Sequence, residues 1–300
     1  MEQRTDLALE VRESFPEDDV ELSGVILSER QIEDANIKVS TVEIKDDKGA
    51  KQMGKPKGMY ITVEAKKYLD NSQREEELLV RELAKLIKEL CDNACHGKKI
   101  LVAGLGNREV TADSIGPKVI EKLFVTRHLI QEFGKDFQKK HGFEMVSAIA
   151  PGVMAQTGME SFEILSGIAK ETKAEQLILI DALAARSTER LNTTIQLTDT
   201  GICPGAGVGN QRKALNEETL GLKVLAIGVP TVVDAATIVR DTMDSVLAGQ
   251  GFSEEEQMEL HKEIRQESTK NMFVTPKNID ESIDRMSNIL ADALNLCFVP

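Results

Sequence analysis

The stretch Leu177-Ile178-Leu179-Ile180-Asp181 is a short aliphatic run that ends in a carboxylate. Three similar runs occur elsewhere, at 100–104, 145–149 and 224–228, and amphipathic helical patterns separate them. Runs that are apolar at every position predict strands buried on both faces, which are typical of a parallel sheet covered by helices. The sequence therefore predicts an α/β fold with a largely parallel central sheet flanked by helices.

The residues that precede these runs have a different pattern. Three segments rich in β-branched residues alternate with glycine-containing turns around Gly49 and Gly54, which predicts an additional small antiparallel sheet. These segments are 23–27, 37–44 and 59–64. Apolar residues at helical spacing then predict a helix over 74–90. We therefore predict an N-terminal, mainly β segment at 1–73, packed on an α/β core at 74–300 to form one compact unit.

The composition excludes several classes of partner. The 300 residues carry a formal net charge of −13, and no segment has the clustered Lys and Arg that bind phosphates. No apolar run approaches the roughly 20 residues that span a membrane. The first residues lack the apolar core of a signal peptide, and four scattered cysteines suit a reducing compartment. We expect a cytoplasmic protein that contacts neither nucleic acid nor membrane directly.

Known catalytic and nucleotide-binding motifs are missing. Gly104 and Gly106 follow a predicted strand, but the third position of a dinucleotide fingerprint holds Glu109, which would repel a pyrophosphate. The sequence contains no Gly-x-Ser-x-Gly nucleophile elbow and no His-Glu-x-x-His zinc helix. Carboxylates are therefore the best candidates for catalysis.

Three aspartates follow predicted strands, where parallel sheets bind ligands. Asp181 and Asp113 are candidates to face each other, and as a pair they could share a proton and activate water, or hold a divalent ion. Each could instead cap a following helix, Asp181 before the run Ala182–Ala185 and Asp113 before the helix that contains Pro117. Asp234 is a third candidate, for which helix capping is favoured.

Several motifs together resemble the germination protease family of spore-forming bacteria, and the resemblance runs nearly end to end. The motifs are Arg4-Thr5-Asp6-Leu7-Ala8, Gly104-Leu105-Gly106-Asn107, Val110-Thr111-Ala112-Asp113, Val125-Thr126-Arg127-His128-Leu129, residues 147–154, residues 180–186, residues 204–210, residues 227–235 and Val274-Thr275-Pro276-Lys277. The resemblance implies an endopeptidase that initiates degradation of small acid-soluble spore proteins in the spore core during germination. It also implies a self-processing zymogen and a homotetramer.

The resemblance also implies roles for individual residues. Asp113 and Asp181 become the catalytic pair, either as a bare acid dyad or as ligands of one divalent metal ion. The junction Asp6-Leu7 becomes the processing site. Candidate substrate-loop residues are Asn107, Arg186, Gly207, Asn210 and Asp234. Two alternatives stay open: a metal-dependent peptidase similar to hydrogenase maturation endopeptidases, and a non-catalytic α/β binding module whose aspartates are exposed caps.

Overall fold

The computed structural model describes residues 5–15, 22–65, 73–91, 97–205, 212–247 and 272–299. The strands are β1 (Val25–Ile32), β2 (Ile37–Ile44), β3 (Gly58–Glu64), β4 (Lys99–Gly104), β5 (Met145–Ile149), β6 (Gln176–Ala185), β7 (Thr194–Thr198), β8 (Lys223–Asp234) and β9 (Phe273–Val274). The α-helices are α1 (Ala8–Glu13), α2 (Asp47–Met53), α3 (Gln73–Leu90), α4 (Ile115–Lys122), α5 (Arg127–His141), α6 (Met154–Thr157), α7 (Ser161–Thr172), α8 (Glu217–Leu220), α9 (Ala235–Leu247) and α10 (Ile279–Phe298). Short 3-10 turns span Glu33–Ala35, Thr111–Asp113 and Thr188–Arg190.

One mixed sheet organises these elements, with strand order β1-β2-β3-β7-β8-β6-β4-β5 and β9 paired to β8. Strands β5, β4, β6 and β8 run parallel to one another, whereas β1, β2, β3 and β7 pair antiparallel. The predicted α/β fold with a helix-flanked central sheet is confirmed, and its parallel part is confined to these four strands.

Strand β7 joins the two parts of the sheet. It pairs antiparallel with β3 on one side and with β8 on the other, so the predicted separate antiparallel sheet is instead an extension of the main one. The physical reason is that β7 has two edges. One edge pairs with β8, and without β3 the backbone groups of the other edge would have no partner strand. The division of the chain at residue 73 stays a prediction.

The hydrophobic core lies on both faces of the sheet. Helices α3, α4 and α10 cover one face, where Leu83, Ile178 and Leu290 are fully buried in a single cluster. Helix α7 covers the other face, where Leu165 packs in the cluster that contains Leu179. Alternate residues of β6 thus enter opposite cores, which explains why this strand is apolar at consecutive positions.

Two local predictions need correction or lie outside the described residues. The segment around Gly49 is helix α2, not a turn, because the Asp46 side chain accepts a hydrogen bond from the Gly49 N–H and caps a short helix. A helical pattern also predicts a helix at 254–267, and these residues lie outside the described ranges. None of the helices in the described ranges combines the length and low charge that a membrane-spanning helix needs.

Candidate active site

Asp113 lies on the loop that follows β4. Its Oδ2 accepts a 2.8 Å hydrogen bond from the Asn107 N–H, so the side chain folds back on the loop and does not cap α4. Gly106 has φ +106°, and a Cβ there would lie 2.0 Å from the Asp113 carbonyl oxygen. The loop can therefore hold Asp113 in this position only with glycine at 106.

Asp181 lies within β6, not at its end. The strand continues to Ala185, and Asp181 Oδ1 accepts a hydrogen bond from the Ala182 N–H at 2.9 Å. The interpretation of Asp181 as a helix cap is therefore wrong, since no helix follows this residue. Only 8% of Asp181 is exposed, so it is also not the exposed residue that a non-catalytic binding module predicts.

Close backbone packing holds these two aspartates on neighbouring elements. The Leu105 N–H donates a 2.8 Å hydrogen bond to the Ile180 carbonyl oxygen, which ties the Asp113 loop to the residue before Asp181. Helix α4 approaches both through Gly116, where a Cβ would lie 2.3 Å from the Leu105 oxygen and 2.7 Å from the Ile180 oxygen. This contact requires a glycine at the start of α4 and explains its position in the sequence.

Burial and mutual repulsion raise the pKa values of the pair. Burial raises the pKa of Asp181 well above its usual range, and the nearby charges of Asp113 and Asp6 raise it further. Burial also raises the pKa of Asp113, but the Asn107 N–H and the charge of Arg212 oppose that shift. Two carboxyl groups in this arrangement favour a state with one proton between them. The proton is on Asp181, and Asp113 is a carboxylate.

The chain's own residues 5–7 lie beside the strand that carries Asp181 as an extended segment, and helix α1 begins at Ala8. The Asp6 N–H donates to the Ala184 carbonyl oxygen at 2.9 Å, and the Ala184 N–H donates to Asp6 Oδ2 at 2.9 Å. Leu7 is completely buried in an apolar cluster that includes Leu183 and Val233. The predicted processing junction thus runs along the end of the strand that carries Asp181.

A buried carboxylate on α1 anchors the same segment. Glu10, which is 4% exposed, accepts hydrogen bonds from the backbone N–H groups of Arg186 and Ser187 at 2.7 and 3.0 Å. It also accepts a hydrogen bond from the Thr5 hydroxyl and forms an ion pair with Arg190. These contacts fix the chain on the C-terminal side of the Asp6-Leu7 junction.

The predicted substrate-loop residues have different surroundings. Asn107 contacts Asp113 through its backbone, and its Oδ1 accepts a hydrogen bond from Gln156 at 3.1 Å. Arg186 follows β6 and binds Glu10 through its backbone. Asp234 precedes α9, and its side chain accepts a 2.8 Å hydrogen bond from the Ala236 N–H. Asp234 is six residues beyond Gly228, the β8 residue opposite Asp181, which is roughly 20 Å along the strand. Gly207 and Asn210 lie outside the described residues.

Lys55 and Gln196 are site residues that the sequence patterns do not reveal. Lys55 Nζ and Gln196 Nε2 donate to the Asp6 carbonyl oxygen at 2.9 and 3.2 Å. Gln196 Oε1 also accepts the Ala8 N–H at 2.7 Å. The signals that could have identified them are weak: a lysine inside a glycine-proline turn, and a glutamine between apolar strand residues.

The carboxyl groups of Asp113 and Asp181 have the oxygen chemistry that a hard divalent cation prefers. In the part of the chain that the structure describes, no group of three or more His, Cys, Asp or Glu side chains is arranged to hold a metal ion.

Comparison with protein families finds that the model described as germination protease matches residues 2–256. The germination protease of Caldanaerobacter subterraneus subsp. tengcongensis is 41% identical, over 99% of this chain and 94% of its own length. That of Bacillus subtilis is 38% identical, over 97% and 92% respectively.

Solved structures give weaker likenesses. A [NiFe] hydrogenase maturation protease, HycI from Thermococcus kodakarensis, matches with a TM-score of 0.33 at 15% identity, covering 69% of this chain and 99% of its own. The hydrogenase maturating endopeptidase HybD from E. coli has a TM-score of 0.28 at 16% identity, covering 51% and 94%.

Proposed function

The chain belongs to the germination protease family and is therefore an endopeptidase of spore germination, and we propose that it initiates the degradation of small acid-soluble spore proteins in the spore core. We further propose that it is made as a zymogen, removes residues 1–6 itself and works as a homotetramer. The observation that carries the proposal is an extended polypeptide segment, residues 5–7, beside the strand that carries the buried Asp181, with the half-buried Asp113 on the neighbouring loop and raised pKa values at both carboxyl groups.

In the proposed mechanism, the two aspartates have opposite tasks. Asp113 is the better stabilised anion, since the Asn107 N–H and Arg212 favour its charged form, and it accepts a proton from the attacking water. Asp181 keeps its proton because it is more deeply buried and faces other negative charges, and it protonates the leaving amine. The pair ends the reaction with one proton, as it began.

The bound segment supports a preference for the type of bond that is cut. The Asp6 carboxylate accepts a hydrogen bond from the Ala184 N–H of β6, while Leu7 is buried in an apolar cluster. A substrate with an acidic residue before the cut and an aliphatic residue after it would make the same contacts. Intact Asp6-Leu7 would be cut first, and its departure would free the site for other proteins.

The test is to incubate the purified chain with a small acid-soluble spore protein and to sequence the products. We expect Asp181→Asn and Asp113→Asn each to lose at least about 100-fold in rate while remaining folded, because each loses a proton-transfer group. Asp284→Asn is the matched control, since Asp284 is an exposed aspartate paired with Lys122 on the surface. Full activity in Asp181→Asn would refute the acid pair.

The same assay separates an acid dyad from a metal-bound pair. The chain is treated with a chelator, freed of it, and then supplied with divalent ions. Activity that survives chelation supports the dyad, whereas activity that is lost and then restored by a divalent ion assigns Asp113 and Asp181 to metal binding. Absence of any cleavage of the spore protein by the wild-type chain would refute the proposed substrate.

A further inference from the structure

Two side chains converge on one carbonyl oxygen in the bound segment. Lys55, on the loop before β3, and Gln196, on β7, both donate to the carbonyl oxygen of Asp6. That oxygen belongs to the peptide bond between Asp6 and Leu7. Backbone carbonyls of extended segments ordinarily pair with a strand, so a lysine and a glutamine on one oxygen form an unusual polar clamp.

Gln196 also fixes the segment in register. Its Nε2 binds the Asp6 oxygen and its Oε1 binds the Ala8 N–H at 2.7 Å, so one amide brackets Leu7 as a strand backbone would. Gln196 is only 6% exposed, which strengthens both contacts. These contacts use only backbone atoms of the bound segment, so they do not depend on the identity of its side chains.

The sheet places this clamp two strands away from Asp181. Gln196 is opposite Gly228 on β8, and Gly228 is opposite Asp181 on β6. Side chains at paired positions share a face, so Gln196 and Asp181 project on the same side about 10 Å apart. The Leu183 side chain lies over Gly228, where a Cβ would be only 2.3 Å from Leu183 Cδ1. A cavity of about 240 Å³ borders Asp6, Lys55, Leu183 and Gln196 on this side.

We propose that Lys55 and Gln196 are further catalytic residues, which bind the oxyanion that forms when water attacks the scissile carbonyl. This inference rests on the proposed function, since it requires Asp6-Leu7 to be a bond that is cut. The same two side chains would bind the corresponding oxygen of a protein substrate.

The chemistry of the step is balanced by the acid pair. Water adds its oxygen to the carbonyl carbon and gives a proton to Asp113, while the C=O π electrons move to the oxygen held by Lys55 and Gln196. That electron pair then re-forms C=O as the C–N bond breaks, and the proton of Asp181 passes to the leaving nitrogen. The products are a carboxylic acid and an amine, and the oxyanion exists only between the two steps.

The surroundings of Lys55 suit this task. Burial lowers the pKa of its ammonium group, and the charges of Asp6 and Glu10 oppose that shift. A desolvated donor gains more from a charge that develops in the transition state than a solvated one does. Lys57, two residues along, is exposed and paired with Asp47 at 2.8 Å, so it provides a matched control lysine.

The sequence offers a direct probe of the clamped bond, because Asp6-Leu7 is the only Asp-Leu pair in the chain. Labelling aspartate with ¹³C at the carbonyl and leucine with ¹⁵N gives one carbonyl-amide resonance, from this bond alone. Its carbon shift reports the hydrogen bonds on the Asp6 oxygen, and its disappearance reports cleavage. Both readouts use the full chain.

We expect Lys55→Met to shift this carbon resonance upfield and to slow its decay about 100-fold, the cost of losing one oxyanion donor. Lys55→Arg should recover part of the rate, and Lys57→Met should change neither shift nor rate. On a spore protein added in trans, Lys55→Met should lower kcat about 100-fold with KM within a few-fold of wild type. Gln196→Glu, which loses the amide donor, should also lower kcat.

Each contrary result has one meaning. An unchanged resonance in Lys55→Met would refute the clamp itself. A shifted resonance with an unchanged decay, or a loss that appears only in KM, would refute the oxyanion role and leave a structural contact. A wild-type resonance that persists, with no new terminus at Leu7, would refute self-processing and with it the catalytic assignment.

Discussion

Replacing Asp181 with asparagine should make the folded chain less sensitive to rising pH. Burial and the charges of Asp113 and Asp6 hold the pKa of Asp181 well above its usual value in the native state. In the unfolded chain the pKa of the same group is about 3.9. The native state therefore binds this proton more tightly, and wild-type stability falls as pH rises through the interval between the two pKa values. Asparagine has no proton to lose there.

The size of the effect follows from the linkage relation. Within that interval one proton separates the native from the unfolded state, so wild type loses about 1.4 kcal/mol of unfolding free energy per pH unit relative to Asp181→Asn. Below the unfolded pKa the difference is constant, and above the native pKa it is constant again. Asparagine retains an oxygen that can accept the Ala182 N–H, so that contact adds only a pH-independent offset.

The assay is urea unfolding of both proteins from pH 4 to pH 8, at one protein concentration and with intact mass verified before each series. Asp284→Asn serves as a flat control. A hydrogen bond from Lys122 lowers the pKa of Asp284, so its small contribution to stability is already complete above the unfolded pKa, and the difference between wild type and this variant should stay nearly constant from pH 4 to pH 8. A difference between wild type and Asp181→Asn that stays flat, or that grows in favour of wild type with pH, would refute the buried-acid reasoning.

Three further predictions concern the segment, the loop and the assembly. Leu7→Ala should reduce the free energy of unfolding by about 2–5 kcal/mol and slow self-processing, because Leu7 is completely buried. An unchanged free energy in denaturant unfolding, together with an unchanged processing rate by mass spectrometry, would contradict this. Gly106→Ala should lower activity on a spore protein at least about 10-fold, since the new Cβ would lie 2.0 Å from the carbonyl oxygen of Asp113. Unaltered kinetics would refute the role of this loop. Light scattering should report a mass near four times 33.0 kDa, whereas a value of one chain would contradict the tetramer.

The parallel half of the fold and the proximity of Asp113 to Asp181 could be predicted from sequence. Consecutive aliphatic residues identified the central strands, and the parallel pairing of β4 with β6 brings the Asp113 loop close to the carboxyl-terminal half of β6. The end of β6 was less predictable, because Ala182–Ala185 favours a helix by intrinsic propensity. Pairing with β8 and with Asp6 overrides that preference.

Lys55 and Gln196 could not be predicted because their positions depend on long-range pairing. Strand β3 meets β7 far along the chain, and nothing local in either segment specifies that contact. Gln196 belongs to no recognisable motif, and Lys55 lies in a turn where lysine is ordinarily solvated. Their roles appear only when residues 5–8 lie against both.

The junction of β3 with β7 makes the proposed reaction centre depend on both the antiparallel and the parallel part of the sheet. If the chain were divided at residue 73, Lys55 and Asp6 would belong to one fragment and Asp181 and Gln196 to the other. Neither fragment would hold a complete set of catalytic groups, and each would expose the backbone edge that the other had covered. The proposed activity therefore requires both parts of the sheet in one folded chain.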